Sequence, residues 1–345
     1  MGAHAGIAFP PGRSRRGWRQ RFGCFAALGS LLLAVALGCQ RQPPRIVLAV
    51  NPWPGYAYFA LAKARSHYDV RRINLDLRNF ADAAGTMEAY VSGKAQAIAT
   101  TTIDAVTICG VAPERCPVIV YVVDESRGAD QLLARQGVKD LKGLADQPIA
   151  LDRSSLSRYV LSRAFESVGL PPPEPSQLRF LPATSWEAAL RRGEVQAVVT
   201  YPPRSEQLLR AQPLQTLFTS RQLPYEILDV LAVEPELLDQ HPDAVLALVQ
   251  GWQAMREEEG RRPAEVRQAM ADHLGLDSGA TAALWEGIRY PGPQEQYELL
   301  NPAHNNLPPL LDKIRKVLYA NGVIPANSPL PATVDSIARA LAKAK

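Results

Sequence analysis

The chain has 345 residues, 47% of them hydrophobic and 21% charged, which is enough for two cores and excludes a disordered chain or a multi-span membrane protein. Its formal charge of +4 comes from the leader, where Arg13, Arg15, Arg16, Arg19 and Arg21 precede Cys39 with no acid among them. The rest is near neutral, which argues against a nucleic-acid partner, because such a partner needs basic residues clustered on the folded body.

Residues 1–38 read as an export signal and are left out of the fold. The five arginines are followed by a charge-free stretch, Phe22 to Gly38, centred on LLLAVALG. Val35-Ala36-Leu37-Gly38-Cys39 resembles the bacterial lipobox, which implies cleavage before Cys39 and a lipid on its thiol. The departure from that pattern is Ala36 followed by Leu37, where leucine and then a small residue are usual. The alternative is an uncleaved anchor, although the stretch is shorter than the ~20 apolar residues that a spanning helix prefers. Either way the arginines stay inside and the body is exported, to the periplasm or the outer cell surface.

Residues 39–44 read as a tether. Strands are expected at Ile46–Val50, Ile98–Thr101, Val118–Val123, Ile149–Leu151, Ala197–Thr200 and Val230–Val233, separated by helical segments such as Thr86–Val91, Tyr159–Val168 and Trp186–Arg191. This alternation predicts an α/β protein of two lobes, each a mainly parallel sheet flanked by helices. GTMEAYVSGKAQAIATTTI from Gly85 is echoed by SWEAALRRGEVQAVVTYPP from Ser185: a helix, Gly93 or Gly193 as a left-handed cap, then a strand ending at Thr100 or Thr200. Chance likeness between two ordinary helix-strand units is the other reading.

From Pro235 the texture changes to helices started by proline: Pro242–Glu258, Pro263–Leu274, Ser278–Gly287 and then Leu310–Ala320. The strand at Val230–Val233 returns the chain to the first lobe, which therefore comprises 45–127 and 228–345, with 128–227 as the second. Two crossings result, near 127–130 and 225–229, and two crossings make a hinge. Cys109 and Cys116 flank a Gly/Pro turn in an exported body and are expected to pair as a disulfide; two unpaired small apolar residues are the alternative. The five histidines are scattered, and neither a metal nor a cofactor is expected.

In open α/β sheets ligands sit beyond the carboxyl ends of the strands. The candidates there are Asn51-Pro52-Trp53-Pro54-Gly55-Tyr56, Thr100-Thr101-Thr102, Ser154-Ser155-Leu156-Ser157 and Thr200-Tyr201-Pro202. Helix N-termini attract anions, so an oxyanion held between the threonine and serine clusters is one expectation, with Arg158 as an added charge. Ordinary capping by serine and threonine is the plainer one.

VNPWPGYAYFALAKA, the two glycine-capped repeat units, DESRGADQLL, VTYPP and LPYEILDVLAV together resemble the substrate-binding proteins of nitrate, sulfonate and taurine type ABC importers, over about residues 45–290. The resemblance implies a type II periplasmic-binding fold and a monomer that captures a small organic or oxyanion solute for a membrane permease. By position it implies ligand contacts at Trp53, Tyr56, Thr100, Thr101, Thr102, Ser154, Ser155 and Tyr201. Asp130, Glu226 and Asp229 sit at the crossings and either meet a ligand amine or pin the hinge. Ala57 and Tyr58 stand where relatives often carry an acid and a proline, so the resemblance does not name the solute. A sensor for a membrane receptor, or a pyrimidine-synthase-like enzyme on the same fold, is the competing function.

Overall fold

A computed structural model describes residues 1–2, 42–276, 285–301 and 307–343. The chain divides into Met1–Gln42 and Pro43–Lys345, and the description that follows concerns the second unit. The expected signal, Cys39 and the first part of the helix read over Ser278–Gly287 lie outside the described residues.

The first half of the unit runs β1 Arg45–Val50, α1 Pro54–Ala64, β2 Asn74–Asn79, α2 Ala83–Val91, β3 Ala97–Thr101, α3 Thr102–Val111 and β4 Val118–Ser126. The chain then crosses to β5 Gln131–Arg135, β6 Ile149–Leu151, α4 Ser155–Glu166, β7 Leu178–Phe180, α5 Trp186–Arg192, β8 Ala197–Thr200, α6 Arg204–Ala211 and β9 Leu214–Thr219. It returns through β10 Leu228–Val233 to α7 Pro235–Gln240, α8 Pro242–Arg261 and α9 Pro263–Leu274. The last elements are β11 Ile288–Arg289, α10 Pro293–Leu300, α11 Leu307–Ala320, β12 Ala332–Thr333 and α12 Ser336–Lys343.

Two mixed sheets result. The first has the order β11-β4-β10-β3-β1-β2, with β12 also on β4; the second has the order β7-β6-β8-β5-β9. In each sheet most strands point one way. In the second sheet only β5, which arrives from the first, runs antiparallel to both its neighbours. In the first sheet β10, which arrives from the second, does the same between β3 and β4. Both crossing strands are thus reversed, since a chain entering from the other sheet comes in at the opposite end; the two-residue β11, antiparallel to β4, is reversed without crossing. Every residue of β3, β4 and β10 is buried, as expected of strands covered by helices on both faces.

The internal echo in the sequence is real in three dimensions. Helix α2 leads through Gly93 to β3 and α5 leads through Gly193 to β8, and both glycines have φ of +74°, the left-handed region that only glycine enters without strain. Pro235, Pro242, Pro263 and Pro293 each open a helix. Helix α8 buries Val245, Leu248, Trp252 and Met255, a stripe at helical spacing, against α1. The Trp252 indole donates to the Gly55 carbonyl at 2.9 Å and packs on Tyr58, Phe59 and Tyr121. These contacts fix the first turn of α1, and with it the loop that carries Trp53. Cys109 and Cys116 are joined as a disulfide with Cα atoms 4.2 Å apart.

The strands β2, β7 and β9 carry no long apolar run, because most of their residues are not fully buried. None of the described helices is long and apolar enough to cross a membrane.

Candidate functional site

In the first sheet β1 pairs with β2 on one side and β3 on the other, both parallel. In the second, β6 stands in the same relation to β7 and β8. Loops after β1 and β3 therefore leave in opposite directions and open a crevice between them, as do those after β6 and β8. The two crevices face each other. Asn51, Trp53, Tyr56, Ala83, Thr100, Thr101, Asp104 and Asp229 meet Asp130, Leu156 and Tyr201 around one narrow gap.

Of the residues named from the sequence, the structure brings Trp53, Tyr56, Thr100, Thr101, Asp130, Tyr201 and Asp229 to this cleft. The Trp53 ring stands 6.5 Å from that of Tyr56 and edge-on to that of Tyr201 at 6.1 Å, so three aromatics wall the space. The Trp53 Nε1 donates to the Asp124 carboxylate at 3.1 Å, and the Tyr56 hydroxyl donates to Asp229.

Thr102, Ser154, Ser155 and Glu226 are not among the lining residues. Thr102 is the first residue of α3; it is fully buried and its hydroxyl has no hydrogen-bond partner. The Ser154 hydroxyl caps α4, accepting from the Ser157 amide at 3.2 Å and donating to Asp152 at 2.6 Å. Glu226 accepts from the Tyr159 hydroxyl at 2.9 Å, Arg163 Nε at 3.0 Å and Lys313 Nζ at 2.5 Å. Burial alone would raise its pKa, but those donors bring it below the usual range. Such a group is committed to the crossing. Arg158 is placed over the Phe180 ring at 5.7 Å and outside the cleft lining.

Asp104 and Asn51 line the cleft but were not singled out as ligand contacts. Asp104 follows Thr101 by three residues; Thr101 accepts from its amide and donates to its carboxylate, both at 3.1 Å. In the sequence this looks like an ordinary capped helix start. In space Asp104 does more, since its Oδ1 accepts the Ser155 amide of α4 at 3.1 Å. A carboxylate from the first sheet's side thus occupies the N-terminus of the helix where an oxyanion was expected.

The electrostatics of the cleft are one-sided. Burial, with repulsion from Asp152, pushes Asp104 up to about 7 against the donors Thr101, Ser155 and Leu156. Burial pushes Asp130 up to about 7 as well, with the Ser126 hydroxyl opposing and Asp152 adding to the rise. Asp124 and Asp229, directly opposite on neighbouring strands, are both raised by burial and share a hydrogen bond. Two carboxyls this close cannot both ionise at low cost.

Comparisons with known proteins bear on this geometry. A family model described as the NMT1-like family matches residues 40–275. The chain belongs to the NMT1-like family. No curated protein is similar enough in sequence to count as a relative. Among solved structures, this NMT1-like protein is similar to the alkanesulfonate-binding protein SsuA from Xanthomonas axonopodis pv. citri bound to MOPS, at 14% identity and a TM-score of 0.69 over 84% of this chain and 97% of that one. It is similar to the periplasmic nitrate-binding protein NrtA from Synechocystis PCC 6803, at 12% identity and 0.67 over 88% and 86%. It is also similar to the desulfurization enzyme DSZB, at 15% identity and 0.60 over 87% and 99%. At these identities the likeness establishes the periplasmic-binding fold.

Asp104, Asp124 and Asp130, held above their unfolded pKa, contribute stability that is complete below about pH 4 and is lost as pH rises through about 7, and Asp229, also raised by burial, acts in the same direction. The ligand-free protein is therefore expected to lose stability, on the order of a few kcal/mol, between about pH 5 and pH 8. Denaturant unfolding of Asp229→Asn should show a smaller loss over the same window. An equal loss in variant and parent would contradict the assignment.

Proposed function

We propose that this NMT1-like protein is the exported solute-binding component of an ABC importer, a monomer that closes its two lobes on a small molecule and presents the closed form to a membrane permease. The observation that carries the reading is the cleft itself. Its walls come from strand ends of both sheets, and Asn51 (7% exposed) and Thr100 (3% exposed) face it with no side-chain hydrogen bond to another described residue. Polar groups so deeply buried are ordinarily hydrogen-bonded, and a ligand would supply the missing partners. The likeness to sulfonate- and nitrate-binding proteins supports it.

The lobes of this reading are 45–127 with 228–345, and 128–227. The crossings between them are bonded to each other: Ser126 Oγ lies 2.8 Å from Ser220 Oγ, which also accepts the Gly128 amide at 2.7 Å. Gly128 has φ of +125°, a conformation that side chains resist. A rigid, mutually braced pair of short crossings suits rotation of one lobe against the other. Trp53, Tyr56, Thr100, Thr101, Asp130 and Tyr201 are the proposed ligand contacts, while Glu226 pins the hinge. Ser154 and Ser155 act behind the surface at the start of α4, and Thr102 is buried beneath it. Binding is preferred to catalysis because the cleft offers walls and hydrogen-bonding groups, although the likeness to DSZB shows that the fold also serves an enzyme. Lipid at Cys39 would hold the body at the membrane where the permease works.

Three measurements test this. A saturating solute from a screen of nitrate, taurine, alkanesulfonates, aromatic carboxylates and aminopyrimidines should raise the melting midpoint, since ligand at a hundred times its dissociation constant adds about 2.7 kcal/mol. It should also reduce the radius of gyration in solution scattering, and a thermal shift with unchanged dimensions would remove the closure. Cys39→Ser should move the protein from the membrane fraction to the soluble one, and unchanged partitioning would end the lipid anchor.

A further inference from the structure

The proposed solute-binding role leaves the charge of the solute open, and the cleft carries information about it. An oxyanion held at a helix N-terminus needs free amides and a field without carboxylates. Here the α4 N-terminus is already engaged. The Ser155 amide donates to Asp104 at 3.1 Å, and Asp104 is 1% exposed. Three aspartates line the cleft, and no lysine, arginine or histidine is among the described residues that do. Several arginines outside the lining have partners of their own. Arg256 lies over the Tyr290 ring at 3.6 Å and pairs with Glu259; Arg153 and Arg158 lie over Phe180. Placing a second anion among buried carboxylates would add like charge where screening is weakest.

We infer that the cleft takes a small organic cation with a flat or apolar body, and that the Asp130 carboxylate is its counter-charge. Trp53, Tyr56 and Tyr201 line the cleft, and aromatic rings attract organic cations. Asn51 and Thr100, more than nine-tenths buried and without a side-chain hydrogen bond to another described residue, supply acceptors for its N–H groups. Asp130 is the acid left over. Asp229 accepts from Tyr56 and is bonded to Asp124, and Asp104 holds Ser155 and Thr101, whereas the side chain of Asp130 has only the Ser126 hydroxyl. The groups that face Asp130 are Asp152 from the loop after β6, Asp124 and Asp229 from β4 and β10, and the Tyr201 phenol. All of them are acids, so nothing but a ligand neutralises it. In the empty cleft Asp130 keeps its proton up to about pH 7, and an arriving cation would displace that proton.

The inference rests on the solute-binding reading, and matched probes separate the two. Calorimetry on the detergent-solubilised full-length chain would compare benzylamine and benzamidine with benzoate and benzenesulfonate, which keep the ring and reverse the charge. The cations are expected to bind at least about tenfold more tightly, to gain affinity from about pH 6 to about pH 8, and to release a proton to the buffer as they bind. Asp130→Asn is expected to lower their affinity at least about tenfold at the higher pH and to abolish the proton release. Should that variant fail to fold, the pH dependence and proton release of the parent decide the matter. Anions that bind as well as cations, or cation binding indifferent to pH and to Asp130→Asn, would overturn the cation and leave a solute-binding protein standing. No heat from any of the four at about 10 mM, a concentration at which fragments of this size engage a fitting pocket, would likewise overturn the cation, while the solute-binding reading stands or falls on the broader thermal-shift screen.

Discussion

The contact from Asp104 to the Ser155 amide organises the centre of this molecule. It joins the first turn of a helix following the first sheet to the first turn of a helix following the second. The bond neutralises an orphan amide of α4, yet it also brings a carboxylate into a space that holds Asp130, Asp152 and Asp229. A helix dipole would ordinarily favour that negative charge. Here burial and neighbouring acids outweigh it, and Asp104 stays at about 7. The interface between the sheets is thus shaped by protons that have not left.

Around this centre the fold is doubly repeated. Each sheet has a strand flanked by parallel neighbours on both sides, β1 in one and β6 in the other, and each sends polar residues from its carboxyl end toward the same cleft. Each receives one reversed strand from the other sheet. The aromatic layer of Trp252, Tyr58, Phe59 and Tyr121 anchors α1 from behind, which lets the Asn51 to Trp53 loop present its polar and aromatic groups without being part of a regular element. Rigid support beneath and unpartnered groups above are what a binding surface requires.

Much of this was legible in the sequence. The six expected strands all form, because β-branched runs bounded by turn residues leave few alternatives when both faces are covered. Gly93 and Gly193 marked the repeat correctly, since a left-handed cap leaves a glycine behind. Trp53, Tyr56, Thr100, Thr101, Asp130 and Tyr201 reached the cleft because strand ends do so in any open α/β sheet. The strands β2, β7 and β9 were not seen, because they are only partly buried and their polar residues break any apolar run. Asp104 was not seen because its local pattern with Thr101 is that of an ordinary cap, and nothing along the chain says that Ser155 lies across from it. Glu226 fell to the crossing rather than the cleft through Arg163 and Lys313, partners distant in sequence.

The claim on which the account turns is that the cleft acids are protonated well above their ordinary range because they are buried together without a counter-charge. The direct measurement is a carboxyl carbon NMR titration of the ligand-free protein, with Asp104 and Asp130 assigned by single Asp→Asn substitution. The account predicts midpoints near about 7 for both. Midpoints in the ordinary carboxylate range, about 4, would contradict it and would mean that the cleft is wet or already neutralised in solution.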